Sequence, residues 1–517
     1  MNFANYVDVA ARDAPDRTAL TDHRRELSFG ELAAETDAVA SALEDLGVEP
    51  GDRVALYLPN SVAFVTAYFG AMKRGAVPFP INMRFQGHEV EYVLNDSGAV
   101  AVVTAGQFED VIAGLDVDGL ELIVANGERG HDYADLVASA AGDYDVYPRK
   151  NDELAELVYT SGTTGRPKGV KHTHANLDAN ARGLVRYMGW SNDEVGLTVC
   201  PCFHVSGLNI TVTPFVVMRA TDHLLPEWDP ETALETIEAR DVTYTFLIPT
   251  MLIDLLESGL AEEYDTSSLE VIGVGGSPMP KERIETTEET FDCTLLEGYG
   301  MTETTPLAAI NTPGQDVRKA GSIGPVAEEV VDVRIEDPNT GRAVGTDEKG
   351  EFLWHGDTVT PGYFRMPEKN EEAFVERAVP ERQRGEGGDA AETKRWLRSG
   401  DIGRMDEDGH LFVEDRRDDM IITGGENVYP REVEEVIYEL EGVAEAAVVG
   451  IPHDRLGETV TAIIVRSGDG PTAEEVETHC RERLTDYKIP REVEFVEELP
   501  KTSTRKIDKV SLREEFA

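Results

Sequence analysis

Tyr159 to Val170, YTSGTTGRPKGV (159–170), is the stretch on which the reading of this chain turns. Hydroxyls at Thr160, Ser161, Thr163 and Thr164 alternate with Gly162 and Gly165, and Lys168 closes the run. Glycines let backbone N–H groups approach phosphate oxygens, hydroxyls add donors, and a lysine adds a point charge. The run is not a Walker loop, because counting from Gly162 the position that requires glycine is Pro167. A flexible polar loop is the competing reading. The density of Ser, Thr, Gly and Lys between two ordered segments argues against it.

Outward from this loop, the chain alternates helical and strand patterns. Ser28 and Glu31 have capping-box spacing, and Leu32, Val39, Leu43 and Leu46 follow at helical intervals until Gly47. Arg53 to Leu58 reads as a strand, a second helix starts near Ser61, and AVPFPI and Ala99 to Thr104 read as further strands. TYTFLI (243–248) and VIGVGG (271–276) are buried-strand candidates. Such alternation predicts α/β layers with a largely parallel sheet. Residues 376–394 are polar and Gly-containing and read as a surface loop or insertion. Beyond Asp415 the pattern becomes a compact α+β unit: a helix from about Pro430, strands AEAAVVGI and VTAIIVR, helix AEEVETHCRERL and strand EVEFVEEL. The expected fold is a large multi-subdomain N-terminal α/β region, 1–417, with a small mobile α+β C-terminal domain, 418–517.

With 517 residues, 41% of them apolar, the chain can bury sizeable cores. Its net charge is −51, from 99 Asp and Glu against 48 Lys and Arg, of which only 13 are Lys. The acids are spread through periodic segments, unlike a disordered acidic tail. Self-repulsion of this size opposes compaction unless ions screen it, and at about 1 M salt the Debye length is about 3 Å. The composition therefore predicts a soluble, halophilic, cytoplasmic protein, with nucleic acid and anionic membrane disfavoured as partners. Cys200, Cys202, Cys293 and Cys480 show no metal spacing, and Cys200 and Cys202 are expected on one strand face. Neither a secretory leader nor a membrane span is read.

Further motifs follow in order: GGSPMP (275–280), EGYGMTET (297–304), SGD (399–401), EDRRDDMIITGGENVYPREVE (414–434) and LPKTSTRKI (499–507). Together with the 159–170 loop they resemble the adenylate-forming superfamily of acyl-CoA synthetases, aryl-acid–CoA ligases, peptide-synthetase adenylation domains and beetle luciferase. The resemblance covers nearly the whole length, and GGEN points to the acid–CoA ligase branch. It implies ATP and Mg²⁺ as cofactors, coenzyme A as co-substrate and a small-molecule carboxylate as partner. The loop from Thr160 through Ser161, Gly162, Thr163, Thr164 and Gly165 to Lys168 would cradle the β- and γ-phosphates. Tyr299, beside Gly300, would stack on adenine, with Gly275, Gly276 and Ser277 lining the purine and acyl pocket. Thr302 would contact the α-phosphate, Glu303 would hold Mg²⁺, Asp401 would accept the ribose hydroxyls, and Arg416 would reach ribose or phosphate. Asp418 falls at the family's hinge, and Lys506 would bridge the substrate carboxylate and α-phosphate.

Other readings stand beside these. His204, in CPCFHVSGL, is either an acyl-pocket residue near the reacting carboxylate or a satisfied core histidine. Gly424 and Gly425 either leave room for a pantetheine arm or form a tight turn. Glu303 or Lys506 taken alone would be a surface charge; motif context gives them roles, because two anions must meet where charge grows at phosphorus. Arg505 stands where the family usually has Gly. The implied reaction is acyl-adenylate formation followed by transfer to CoA, with a fatty acid as first substrate and an aryl or short branched acid next. An adenylating enzyme with another acceptor, or an inactive nucleotide-binding regulator, are the alternatives. No carrier segment follows Ala517, which favours free CoA.

Overall fold

The computed structural model describes residues 1–117, 119–140, 142–160, 166–277, 279, 281–315, 317–378, 393–453, 455–468, 470–502 and 506–517. The capping box forms as expected: the Ser28 hydroxyl accepts from Glu31 N, Glu31 returns the bond, and the helix runs Phe29–Asp45. Its neighbour, Val62–Lys73, is buried nearly all round. These helices lie between two sheets.

The first sheet is parallel through Val77–Pro80, Arg53–Tyr57, Ala99–Ala105, Glu121–Ala125 and His131–Asp132, in that spatial order. The larger one orders Ala309–Ile310, Thr294–Tyr299, Val271–Val274, Tyr244–Leu247, Val195–Thr198, Thr221–Leu224, Thr18–Thr21 and Glu26–Ser28, parallel except at its two edges. Strands buried on both faces explain the continuous apolar runs at 244–247 and 271–274. An antiparallel sheet follows, built from Val331–Glu336, Gly350–Gly356, Phe374–Ala378, Thr393–Met405 and Leu411–Arg416.

After a turn at 417–420 a further sheet begins at Ile421–Thr423 and contains Glu426–Val428, Val443–His453, Gly457–Arg466 and Glu492–Val496. Alternation sorts its residues onto two faces. Ala446, Val448, Ala462 and Ile464 pack against helices Pro430–Tyr438 and Ala473–Arg483, while Ala447, Val449, Ile451 and Ile463 meet Leu499 and Leu512.

Two expectations need correction. The segment 376–394 is not a loop from end to end: Glu376, Arg377 and Ala378 pair with Arg395, Lys394 and Thr393 in a hairpin, and 379–392 lie outside the described residues. Charged side chains on a half-exposed strand hide its alternation. Cys200 and Cys202 share no strand face either. The strand ends at Thr198, Cys200 packs in the core of the larger sheet, and Cys202 lies in the core around Val62–Lys73. Pro201, which has no N–H to donate, lies between them beyond the end of the ladder. Among the described residues no helix is long and apolar enough to cross a membrane.

Candidate active site

Parallel strands deliver their carboxyl ends to one edge, and the residues that follow them line a common crevice. Four neighbours of the larger sheet do so here. Val195–Thr198 leads to His204, Tyr244–Leu247 to Ile248, Val271–Val274 to Gly275, Gly276 and Ser277, and Thr294–Tyr299 to Gly300 and the 3-10 turn Thr302–Thr304.

Glycine is required at two of these places by close approach. A Cβ on Gly275 would come within 2.7 Å of the Gly298 carbonyl oxygen, and one on Gly300 within 1.4 Å of the Pro306 oxygen. Gly276 has φ +81° and faces Lys506, whose Nζ would lie 3.8 Å from an added Cβ. The Ser277 hydroxyl donates to the Gly276 carbonyl at 2.9 Å.

Tyr299 stacks on Trp354 at 5.7 Å, with Phe352 edge-on at 6.2 Å, so one of its faces is already occupied. Its hydroxyl donates to Asp401, and burial together with that carboxylate holds it protonated, far above its ordinary range. Asp401 is in register with Arg416 across two antiparallel strands, with Arg416 Nε 3.3 Å from its Oδ1. That neighbour raises the Arg416 pKa against the opposing pull of burial.

The Thr302–Thr304 turn is fastened on several sides. Tyr363 O–H donates to Glu303 Oε1 at 2.8 Å, and Thr360 N donates to the Glu303 carbonyl at 2.8 Å. Thr302 is buried, and its carbonyl accepts from His172 Nε2 at 2.7 Å. Among the described residues no three His, Cys, Asp or Glu side chains gather as a metal cage. A single oriented carboxylate fits Mg²⁺ that arrives with a polyphosphate and keeps its waters.

Strands Leu154–Thr160 and Lys168–Thr173 form a hairpin with Thr160 opposite Lys168. Ser161, Gly162, Thr163, Thr164 and Gly165, next in sequence after Thr160, lie outside the described residues. The hairpin is tied to the 362–364 segment, where Phe364 N donates to the Gly169 carbonyl at 2.8 Å. Burial and then Lys369 pull Lys168 below the usual lysine range, against the pull of Glu303, Glu372 and Asp418.

Lys506 is half-buried in this crevice. Burial and Arg416 lower its pKa, while Asp401 and Glu303 oppose the shift. Its carbonyl accepts from Thr502 N at 2.7 Å, and Arg505 lies outside the described residues. His204 Nδ1 accepts from Ser206 N at 3.2 Å, so the neutral ring carries its proton on Nε2. Burial, then Lys506, pushes His204 down to about 3. His204 therefore caps the short turn Val205–Gly207 and lies within reach of the Lys506 charge.

The structure thus brings Lys168, Gly276, Tyr299, Glu303, Asp401, Arg416, His204 and Lys506 within reach of one another's charge or contact. Gly424 and Gly425 are placed differently. They form the exposed two-residue turn between Ile421–Thr423 and Glu426–Val428, both at positive φ, the conformation such hairpins need. Asp418 sits in the exposed 417–420 turn. Sequence reading missed Trp354, Tyr363 and the buried pair Glu156 and His172. A lone acid inside the apolar run LAELVYT was the available signal for Glu156.

A hairpin carrying Lys168, the aromatic group of Tyr299, Trp354 and Phe352, and the paired Asp401 and Arg416 border one crevice. Comparison with known proteins gives the class. Residues 7–364 match the family model "AMP-binding enzyme", and residues 432–506 match "AMP-binding enzyme C-terminal domain". A feruloyl-CoA synthase of an Amycolatopsis species is 34% identical over 98% of this chain and 97% of its own length. A long-chain-fatty-acid–CoA ligase of Mycobacterium tuberculosis is 33% identical over 95% of this chain and 93% of its own. The ATP-bound structure of MatB from Rhodopseudomonas palustris superposes with a TM-score of 0.89 at 32% identity, covering 100% of this chain and 99% of that one. The chain belongs to the AMP-binding enzyme family, in its AMP-forming acid–CoA ligase branch.

Proposed function

We propose that this ligase activates an apolar carboxylic acid, with a medium- or long-chain fatty acid as the first member of that class. An aryl acid is the second reading, favoured by the feruloyl-CoA synthase relative. A carboxylate oxygen attacks the α-phosphorus of ATP, the bond to the β-phosphate oxygen breaks, and acyl-adenylate and pyrophosphate form. The CoA thiolate then attacks the acyl carbonyl and AMP leaves. Adenylation is required because a free carboxylate is a poor electrophile, whereas AMP is a good leaving group.

Lys168 and the 160–165 loop grip the β- and γ-phosphates, Tyr299 flanks adenine, and Asp401 with Arg416 holds the ribose. Thr302 lies at the α-phosphate. Glu303 holds Mg²⁺, which supplies charge neutralisation at the polyphosphate. Lys506 joins the substrate carboxylate to the α-phosphate, and neutral His204 donates Nε2–H beside it without adding a further cation. Phe246 and Ile248, against Gly275 and Gly276, make the neighbouring wall apolar. Residues 1–417 and 418–517 act as separate domains, and rotation about Asp418 withdraws Lys506 and brings Gly424 and Gly425 toward the pantetheine arm. The enzyme works in a salt-rich cytoplasm.

The observation that carries this reading is the convergence of Lys168, Glu303, Asp401, Arg416 and Lys506, from five separated motifs, on one crevice. A panel of fatty, aryl and short branched acids, assayed for AMP formation in molar KCl with and without CoA, tests it. Tight ATP binding without turnover of any acid would favour the inactive-regulator reading. Turnover that ignores CoA would favour another acceptor.

A further inference from the structure

Beneath the crevice lies a polar cluster that the reaction above does not use. Glu156, on the strand leading into the phosphate hairpin, and His172, on the strand leaving it, are both fully buried. His172 Nδ1 lies 2.7 Å from Glu156 Oε1, and His172 Nε2 lies 2.7 Å from the Thr302 carbonyl oxygen. Asn209 Nδ2 donates to Glu156 Oε1 at 3.2 Å, and Tyr68 O–H donates to Glu156 Oε2 at 2.5 Å. Asn209 belongs to the π-helical turn Leu208–Val212 that follows His204.

The proton positions follow from the partners. A carbonyl only accepts, so Nε2 carries hydrogen. Glu156 accepts from Tyr68 and Asn209, and one proton is held between its Oε1 and His172 Nδ1. Buried polar groups are tolerated when each has its hydrogen-bond partner, as Glu156 and His172 do here. Nothing else in the cluster requires the bond to Thr302. Among the described residues it joins the hairpin directly to the turn bearing Glu303, beside an indirect route in which Thr360 bonds both the Lys171 and the Glu303 carbonyls.

We propose that Glu156 and His172 are positioning residues for ATP: the pair fixes the Thr302–Thr304 turn against the phosphate hairpin, so that the α-phosphate and metal contacts stand at a set distance from the β,γ-phosphate grip. The proposal rests on the functional reading of Thr302 and Glu303 given above. It makes the pair a determinant of MgATP use and leaves acid binding and transfer to CoA alone.

Two substitutions separate positioning from plain core stability. In His172→Gln the side-chain amide occupies the place of Nε2 and keeps a donor for the Thr302 carbonyl. In His172→Asn the amide occupies the place of Nδ1, keeps a donor for Glu156 and loses Thr302. Leaving one buried carbonyl unpaired weakens kcat/KM for MgATP about tenfold. His172→Asn is expected to show that loss in acid-dependent pyrophosphate release, with the KM for the acid and the rate from supplied acyl-adenylate held within about twofold. His172→Gln is expected to retain MgATP kinetics close to the parent enzyme. Thermal melts of both variants, run alongside, confirm that each is folded.

The opposite order, with His172→Asn near the parent and His172→Gln impaired, overturns the proposal, as does equal loss in both half-reactions. Calorimetric titration of MgATP against metal-free ATP reads the same contrast without turnover. A parent protein that binds MgATP but activates no acid would therefore defeat the ligase reading alone. The order of the two variants in calorimetry would still decide on the pair.

Discussion

Replacing Lys506 by alanine removes a cation seated against Gly276, where Asp401 and Glu303 both act on it and Arg416 opposes it. Unit charges about 4 Å apart interact by about 4 kcal/mol at an effective permittivity of about 20. Lys506 is only half-buried, and solvent screening brings the differential effect down to about 2–3 kcal/mol. The adenylation rate should then fall about 30- to 150-fold. Arg416 and Lys168 remain, so the loss stops short of abolition. Acid-dependent pyrophosphate release measures this step, while thioester formation from supplied acyl-adenylate measures the other, in which Lys506 has no part. Equal loss in both assays, or a fall of less than about threefold in the first, would refute the charge argument.

Tyr363→Phe removes the hydroxyl on Glu303 Oε1, a bond worth about 1 kcal/mol, and should raise the Mg²⁺ concentration for half-maximal activity about fivefold; an unchanged Mg²⁺ titration contradicts it. Asp222 is fully buried with the Thr198 hydroxyl as its partner, and burial raises it from 3.8 to about 7. The folded chain therefore holds a proton there that the unfolded chain releases, a stability present below the ordinary carboxylate range and lost as pH rises through 7. Asp222→Asn should recover up to about 4 kcal/mol at pH 8 and almost none at pH 4, and parallel melting curves for both proteins across that range would argue against it. Dilution from molar KCl to low salt should lower activity and melting temperature together, because the net charge of −51 loses its screening; undiminished stability there contradicts the halophile reading.

The sequence made legible whatever depends on local pattern. The Ser28 and Glu31 cap, the buried runs at 244–247 and 271–274 and the helix at Pro430 each follow from spacing within one element. Crevice-lining positions were legible because the motifs keep unusual glycines and charges in order. Some of those glycines answer to packing, as Gly300 does against the Pro306 carbonyl. What supports the motifs from behind was not legible. Trp354 and Tyr363 come from a different sheet and loop, and His172 meets Thr302 across 130 residues, so no local period can announce them. The Phe374–Ala378 strand was missed for another reason: its partner stabilises it, while its own charged residues give no alternation.

One tie across the 417–420 turn sets a condition on any swing of the smaller part. Asp415, at the end of the last strand before that turn, takes the amide of Arg431 at 2.9 Å, and the Arg431 guanidinium reaches back to the Val413 carbonyl. Opening must sever both, leaving a carboxylate and a helix start to find water instead. On the proposed rotation, the arrangement with Lys506 in the crevice is a fastened clasp, and loosening Asp415 should shorten its lifetime without changing the crevice residues themselves.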